Sequence, residues 1–385
     1  MNIPPVIYKG SVKNILADEN FSNYIFEFSD RFSVFDWGDM DDQLPEKGKS
    51  LAIMAYYLFQ YLENPLNWKD PEYEKIVEYN NLSKSVYNRL CTHGLNHHCK
   101  AILSKGHNSL QEGTYGNYLL VSPVNVIRPH FTQKSWDYNQ YKSKPENTLV
   151  PLEVIFRFGT PKGSSLFERI KNNSYCQEIG LKDIPKVGDK FDYPIIEFST
   201  KLEHEDRYIS YNEAIEIAGL NIDEFQALKS TAILTAVNLK NLFKKTGIEL
   251  LDGKLEFAFA TKKSNERTFM LVDSIGPDEL RLEYNNTPLS KECLRTYYRS
   301  SNWFKTITKA KEYSNENNIN NWKQTAINKF NATPPSLNPD LQKKISTMYK
   351  VLSNELTELI INKHFFSIDD DLQSISGQLK KENQL

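Results

Sequence analysis

Apolar and polar residues alternate over the first 36 positions of the chain. Val6-Ile7-Tyr8 and Ile25-Phe26-Glu27-Phe28 read as strands, with Gly10 and an Asp18-Glu19-Asn20 turn between them. From Lys49 the period lengthens. Leu51, Met54, Ala55, Leu58 and Leu62 recur at i, i+3, i+4, i+7 spacing and predict an amphipathic helix ending before Pro65. Residues 131–148 are polar and aromatic without a period, which predicts a loop or insertion. The apolar run from Val150 to Arg157 predicts a buried strand. Ser210 with Glu213 predicts a capping box. A second helix carries Phe225, Leu228, Ala232, Ala236, Leu239 and Phe243 on one face and closes at Gly247. Lys254 to Ala260 and Thr268 to Ser274 predict two strands joined by a charged turn. Leu341 to Thr357 predicts a late helix, followed by a polar, frayed end. The order of elements predicts an α+β fold, divided into a β-rich part over 1–149 and a second part over 150–385.

Composition narrows the partners. In 385 residues, 47 basic side chains face 49 acidic ones, a net charge of −2. That balance argues against holding nucleic acid by phosphate neutralisation. No run of 18 apolar residues is present, so no membrane helix is expected. The start Met1-Asn2-Ile3-Pro4-Pro5 lacks the pattern of a signal peptide, so a cytoplasmic location is expected. The four cysteines, at 91, 99, 176 and 293, are expected to be reduced. Cys91 to Cys99 gathers His93, His97 and His98, but no second ligand pair follows. A buried loop with polar groups satisfied by backbone is therefore expected there rather than zinc.

Chemistry concentrates in Leu250-Leu251-Asp252-Gly253-Lys254-Leu255-Glu256-Phe257-Ala258. In a strand, Leu255, Phe257 and Phe259 point one way, and Lys254 and Glu256 the other. A turn centred between Ser264 and Asn265 would set Glu256 opposite Asp273. Like charges there repel by roughly 3 kcal/mol at ~5 Å and an effective dielectric of about 20. A divalent cation removes that repulsion, and magnesium takes one or two protein carboxylates plus substrate phosphates. The alternative from spacing alone is a solvated face on which Lys254 neutralises Glu256. Gly10 and Lys13 lie in a strand-turn-strand setting that can lay amides and an ammonium over phosphates. Asp30-Arg31-Phe32-Ser33-Val34-Phe35-Asp36 ends a strand with charged groups, where ligand contacts concentrate, although a local Asp30–Arg31 salt bridge also accounts for it. Arg157, followed by Gly159, Gly163, Ser164 and Ser165, could form a phosphate-binding loop with a forked arginine, or simply a loop.

Taken together these pieces resemble the phosphoribosylaminoimidazole-succinocarboxamide synthase (SAICAR synthetase) family. Residues 250–258 match its Asp-x-Lys-x-Glu-Phe strand motif. In the family's order come Gly10-x-x-Lys13, Asp30-Arg31-x-Ser33-x-x-Asp36, Leu44-Pro45-x-Lys47-Gly48, Gly94-x-Asn96-His97, Val150-Pro-Leu-Glu-Val-Ile-x-Arg157, Thr200-Lys201, Asp273, and Pro277-Asp278 with Arg281. The resemblance spans roughly residues 6 to 357.

The resemblance implies an ATP-dependent amide ligase of purine biosynthesis. Its β-rich N-terminal lobe and ATP-grasp-like C-terminal lobe would hold ATP in the cleft between them, with the adenine near Leu149–Pro151. It further implies that the carboxylate of carboxyaminoimidazole ribonucleotide is phosphorylated, and that the amine of L-aspartate attacks the acyl phosphate to release ADP and phosphate. Carried over by position, Gly10 and Lys13 contact ATP, Glu256 and Asp273 hold magnesium, and Lys254 neutralises charge near the activated carboxylate. Arg157, Ser164 and Arg281 hold the ribonucleotide phosphate, while Ser33, Asp36 and Lys201 line the substrate side. The expected partners are these small molecules, in a monomer or homodimer. Ser11, Val34, Trp37 and the five residues between Arg157 and Gly163 depart from the family pattern. They leave open a paralogous carboxylate–amine ligase with another substrate, or a non-catalytic nucleotide-binding protein.

Overall fold

The computed structural model describes residues 1–382 except 19, 108, 133–134, 261–266 and 318. The alternating segment at the start forms β1 (Val6–Lys9), β2 (Lys13–Ala17) and β3 (Tyr24–Phe28). Three helices follow: α1 (Lys47–Glu63), α2 (Pro71–Tyr79) and α3 (Lys84–His93). With β4 (Cys99–Lys105), β5 (Leu110–Glu112) and β6 (Tyr118–Val121), the early strands complete an antiparallel six-stranded sheet in the order β1-β2-β3-β6-β4-β5. The stretch expected to be a loop at 131–148 contains a small hairpin, β7 (His130–Thr132) with β8 (Ser135–Asp137), and a 3-10 turn at Asn139–Ser143.

The second sheet begins with β9 (Thr148–Gly159) and the short helices α4 (Leu166–Arg169) and α5 (Asn173–Glu178). It continues through β10 (Lys190–Thr200), β11 (Tyr208–Ile209), α6 (Tyr211–Ile217) and α7 (Ile222–Lys244). The strands β12 (Glu249–Phe259), β13 (Phe269–Val272), β14 (Leu280–Tyr284) and β15 (Thr287–Pro288) complete it. Its order is β11-β10-β9-β12-β14-β15, with β13 beside the far half of β12. The chain ends in α8 (Glu292–Arg299), α9 (Asn302–Glu316), α10 (Trp322–Phe330), α11 (Pro339–Ile361) and α12 (Leu372–Glu382).

One apolar core joins the two sheets, running from Phe26 and Leu58 through Val154, Phe257 and Leu239 to Tyr349. Three local expectations change. Ser210 caps α6, its hydroxyl accepting from the Glu213 amide at 3.2 Å, but the full reciprocal capping box belongs to Asn221 and Glu224 at the start of α7. Asp30 does not bridge to Arg31. Its carboxylate accepts from the amides of Glu46 and Gly48 at 3.1 and 2.9 Å, which caps α1 in place of its own N-cap side chain. Through Glu382 the tail is ordered: Leu372, Ile375 and Leu379 lie at i, i+3, i+7 and bury one face of α12.

Candidate active site

Side-chain alternation divides the seven-stranded sheet into two chemically distinct faces. Leu152, Val154 and Phe156 of β9, Phe198 of β10, and Leu255 and Phe257 of β12 enter the core, as expected for β12. The opposite face carries Glu153 and Arg157 of β9, Glu197 and Ser199 of β10, Lys201 just beyond it, and Asp252, Lys254 and Glu256 of β12. Charged residues on that face group at two places. Four residue steps along extended β9 separate Glu153 from Arg157, roughly 13 Å.

At the first place Glu153 and Glu256 are directly paired across β9 and β12. Lys201 reaches Glu256 at 2.7 Å and Glu153 at 3.2 Å, while Lys254 reaches Glu153 at 2.5 Å and Glu256 at 3.3 Å. Ser199 adds a hydrogen bond to Glu153 at 3.2 Å. Burial favours neutral lysines here, but Glu256 and then Glu153 outweigh it and hold Lys201 well above the usual lysine range. Lys254 is held high in the same way. Burial likewise opposes a charged Glu153, and Lys254 with Lys201 overrides it, so its carboxyl lies below the usual range.

The expected Glu256–Asp273 opposition is corrected. The turn at 264–265 lies outside the described residues, and the observed register pairs Glu256 with Val272. Asp273 sits one residue past the end of β13, with φ of 66°. Lys13 of β2 forms an ion pair with it and donates to Ser274 at 3.1 Å. Burial would raise the Asp273 carboxyl, but Lys13, followed by Lys201, holds it well below the usual range. Asp273 thus belongs electrostatically to the same centre as Glu256, reached from the other sheet. Gly10 supports this turn: its amide donates to the Lys13 carbonyl at 2.9 Å, and its carbonyl accepts from Arg31 at 2.8 Å. A Cβ at position 10 would lie 2.8 Å from the Lys13 carbonyl oxygen, too close for any side chain.

Residues to which the sequence analysis assigned no ligand contact complete the surroundings. His98 bonds the Asp273 carbonyl at 3.0 Å, and burial pushes its pKa down to about 4, so it is neutral at pH 7. The side chain of its neighbour His97 is buried and faces Glu63 at 3.6 Å. Lys47 is fully buried against Asp278 at 2.6 Å, and Tyr349 donates to the other oxygen of Asp278 at 2.7 Å. Burial, with help from Asp278, pushes Glu279 up to about 7. Burial lowers Lys291 from the usual lysine range, and Asp278 is the main charge opposing that. The motifs Leu44-Pro45-x-Lys47-Gly48 and Pro277-Asp278 had marked this region, but the ion pair joins residues 231 apart in sequence.

At the second place Glu197 is fully buried and binds Arg157 at 2.5 Å, Arg169 at 2.6 Å and the Tyr175 hydroxyl at 2.6 Å. Arg157 also meets Asp252 at 3.3 Å, the Tyr208 hydroxyl at 3.2 Å and Ser165 at 3.3 Å. It is only 4% exposed, so its donors are largely committed to the protein. Ser164 is buried and accepts from the Leu166 amide at 3.4 Å; the serine touching Arg157 is Ser165. Arg281 pairs with Asp252 at 3.3 Å. The loop carrying Ser33 and Asp36 packs on α9, where Phe35 meets Trp303 and Phe304. Phe35 and Asp36 both have positive φ, and Asp36 is exposed and pairs with Lys311 of α9 at 3.0 Å. Among the described residues no group of three or more His, Cys, Asp or Glu is arranged to hold a metal without other ligands. Glu256 and Asp273 still offer the hard oxygens and the small carboxylate number that suit magnesium shared with phosphates. Their charge is now balanced by Lys13, Lys201 and Lys254.

Comparison with known proteins gives one consistent result. A family model described as SAICAR synthetase matches residues 6–312. A protein of Archaeoglobus fulgidus with a provisional phosphoribosylaminoimidazole-succinocarboxamide synthase name is 32% identical over 358 residues, covering 92% of this chain and 93% of its own. The Thermoplasma volcanium phosphoribosylaminoimidazole-succinocarboxamide synthase is 26% identical over 357 residues, covering 90% and 97%. The fold is similar to that of the Saccharomyces cerevisiae SAICAR synthase solved with SAICAR. That match has a TM-score of 0.56 at 20% identity, over 94% of this chain and 97% of the other.

Proposed function

Because the chain belongs to the SAICAR synthetase family, its activity is the family's ATP-dependent ligation in purine biosynthesis, and we propose that the two charged places on the polar sheet face carry it. The substrates are carboxyaminoimidazole ribonucleotide and L-aspartate, and the products are SAICAR, ADP and phosphate. The observation that carries the site assignment is the meeting of Lys13, from the first sheet, with Asp273 beside the Glu256–Lys254 centre of the second. The division at 149/150 then separates two lobes, the second ATP-grasp-like, with ATP between them.

In this reading Glu256 and Asp273 hold magnesium, which would neutralise charge on the transferring phosphoryl group. Lys13 moves from Asp273 onto the ATP phosphates, over the backbone of Gly10. Lys201 and Lys254 keep their protons at neutral pH, so they act as fixed positive charges beside the carboxylate being activated and not as bases. Glu153 anchors both ammonium groups from below. The ribonucleotide lies along the face, its carboxylate near Lys254 and its phosphate roughly 13 Å away by the strand rise, near Arg157, Ser164 and Arg281. Ser33 and Asp36 line the outer rim, the latter after release from Lys311. A centre that keeps Lys201 and Lys254 together with Glu153, Glu256 and Asp273 favours a working ligase over a non-catalytic binder, and matches over nine-tenths of the chain favour the family's own substrates over a paralogue's.

Complementation of a purine-requiring strain, with assay of ribonucleotide- and aspartate-dependent ADP release by the purified chain, tests this reading. Growth together with aspartate-dependent release is expected. ADP release that needs a different carboxylate or amine would overturn it.

A further inference from the structure

Arg157 is nearly inaccessible and its donors are committed, so another side chain must present positive charge to an anion at this end of the site. Five guanidiniums converge there, from Arg157, Arg169, Arg281, Arg295 and Arg299, on the carboxylates of Glu197, Asp252 and Glu292. The guanidiniums outnumber these carboxylates, and Glu283, which interacts with Arg281, reduces that positive surplus without cancelling it. Glu292, at the start of α8, is buried and collects three of them: Arg299 at 2.5 Å, Arg295 at 3.2 Å and Arg281 at 3.9 Å. Arg299, on the last turn of α8, has a side chain 40% exposed, against 5% for Arg157. Only its Nη1 meets Glu292. Its Nη2 lies 3.8 Å from where a Cβ on Gly163 would stand, at the lip of the Gly163-Ser164-Ser165 loop. Gly163 has φ of +78°, a left-handed conformation that glycine adopts without strain. The Arg299 guanidinium also lies 6.0 Å from the Phe35 ring, and so stands between two loops of the substrate rim.

We propose that Arg299 is a specificity-determining contact for the phosphate end of the ribonucleotide, and that Glu292 is the positioning residue that aims it. The inference rests on the substrate assignment above. A guanidinium anchored by one nitrogen to a buried carboxylate keeps the rest of its fork for a second anion.

The test is calorimetric binding of carboxyaminoimidazole ribonucleotide, of the corresponding riboside lacking phosphate, and of ATP with magnesium. It is run on the wild-type chain and on Arg299→Ala, Arg299→Lys and Glu292→Gln, with melting temperatures measured alongside. Arg299→Ala should weaken the ribonucleotide roughly 10- to 100-fold and leave the riboside and ATP unchanged, and Arg299→Lys should restore part of the loss. Glu292→Gln should erode the same phosphate preference in smaller measure. If Arg299→Ala keeps the wild-type ratio of ribonucleotide to riboside affinity, or weakens both equally, the inference is overturned while the function stands. If the wild-type chain binds no ribonucleotide, the function and the inference fall together.

Discussion

Glu153 and Glu256 face each other directly across β9 and β12, and two lysines, Lys201 and Lys254, each contact both carboxylates. Two like charges at this spacing are costly unless cations lie between them, so the four groups form one unit. Lys201→Met should therefore destabilise the protein by about 3 kcal/mol, the scale for breaking a buried ion pair. The double variant Lys201→Met/Glu153→Gln should recover part of that loss. Denaturant unfolding of the four proteins in the cycle measures the coupling, and strict additivity would mean that the two residues do not act together.

Glu256→Gln and Asp273→Asn should each lower turnover by at least about 100-fold, the scale of losing one electrostatic contact to the transition state. Both should still unfold cooperatively, at a lowered temperature, because each substitution leaves partly buried lysines with one carboxylate fewer. Magnesium-dependent ATP binding followed by calorimetry, beside ADP release, checks the pair; near-wild-type turnover at limiting magnesium in either variant contradicts the metal assignment.

Glu279 gives a pH signature with a definite sign. Its folded pKa, about 7, lies above the ordinary carboxyl value of 4.5 because of burial and the nearby Asp278. The folded state therefore holds this proton more tightly than the unfolded state does. Its stabilising contribution is complete below about pH 4.5 and is lost as pH rises toward 7. Glu279→Gln should match the wild type near pH 4.5 and exceed it in stability at pH 8. Thermal melts across that range, compared between the two proteins, would contradict the assignment if the two curves stayed parallel.

Arg157→Lys should act mainly on the fold. A lysine cannot reach Glu197, Asp252 and the Tyr208 hydroxyl at once, and Glu197 would be left with Arg169 and Tyr175. A loss of about 3 kcal/mol in unfolding free energy is expected, with ATP affinity unchanged. Unfolding and ATP titration of the one variant decide it, and unaltered stability would show that these donors are dispensable.

The sequence by itself determined the local elements and much of the chemistry. Apolar periodicity is a property of neighbouring residues, so it located α1, α7 and β9 to within a few positions and the end of β12, which begins five residues before the expected start, and alternation alone put Lys254 and Glu256 on the face opposite Leu255 and Phe257. Ordered motifs carried the family and its activity. Register, pairing and capping depended on the folded chain. The hairpin register turned on a turn length that spacing cannot fix, and one residue of slip replaced Asp273 by Val272 opposite Glu256. The like-charged partner of Glu256 came from β9, 103 positions earlier, and Asp273 found its cation in Lys13, 260 positions away. Asp30 became the cap of α1, and Arg157 was enclosed by Glu197 and Asp252. Each of these outcomes is a contact between residues distant in sequence, whose energy depends on burial and on which charges the sheets bring together, and only the tertiary structure decides that.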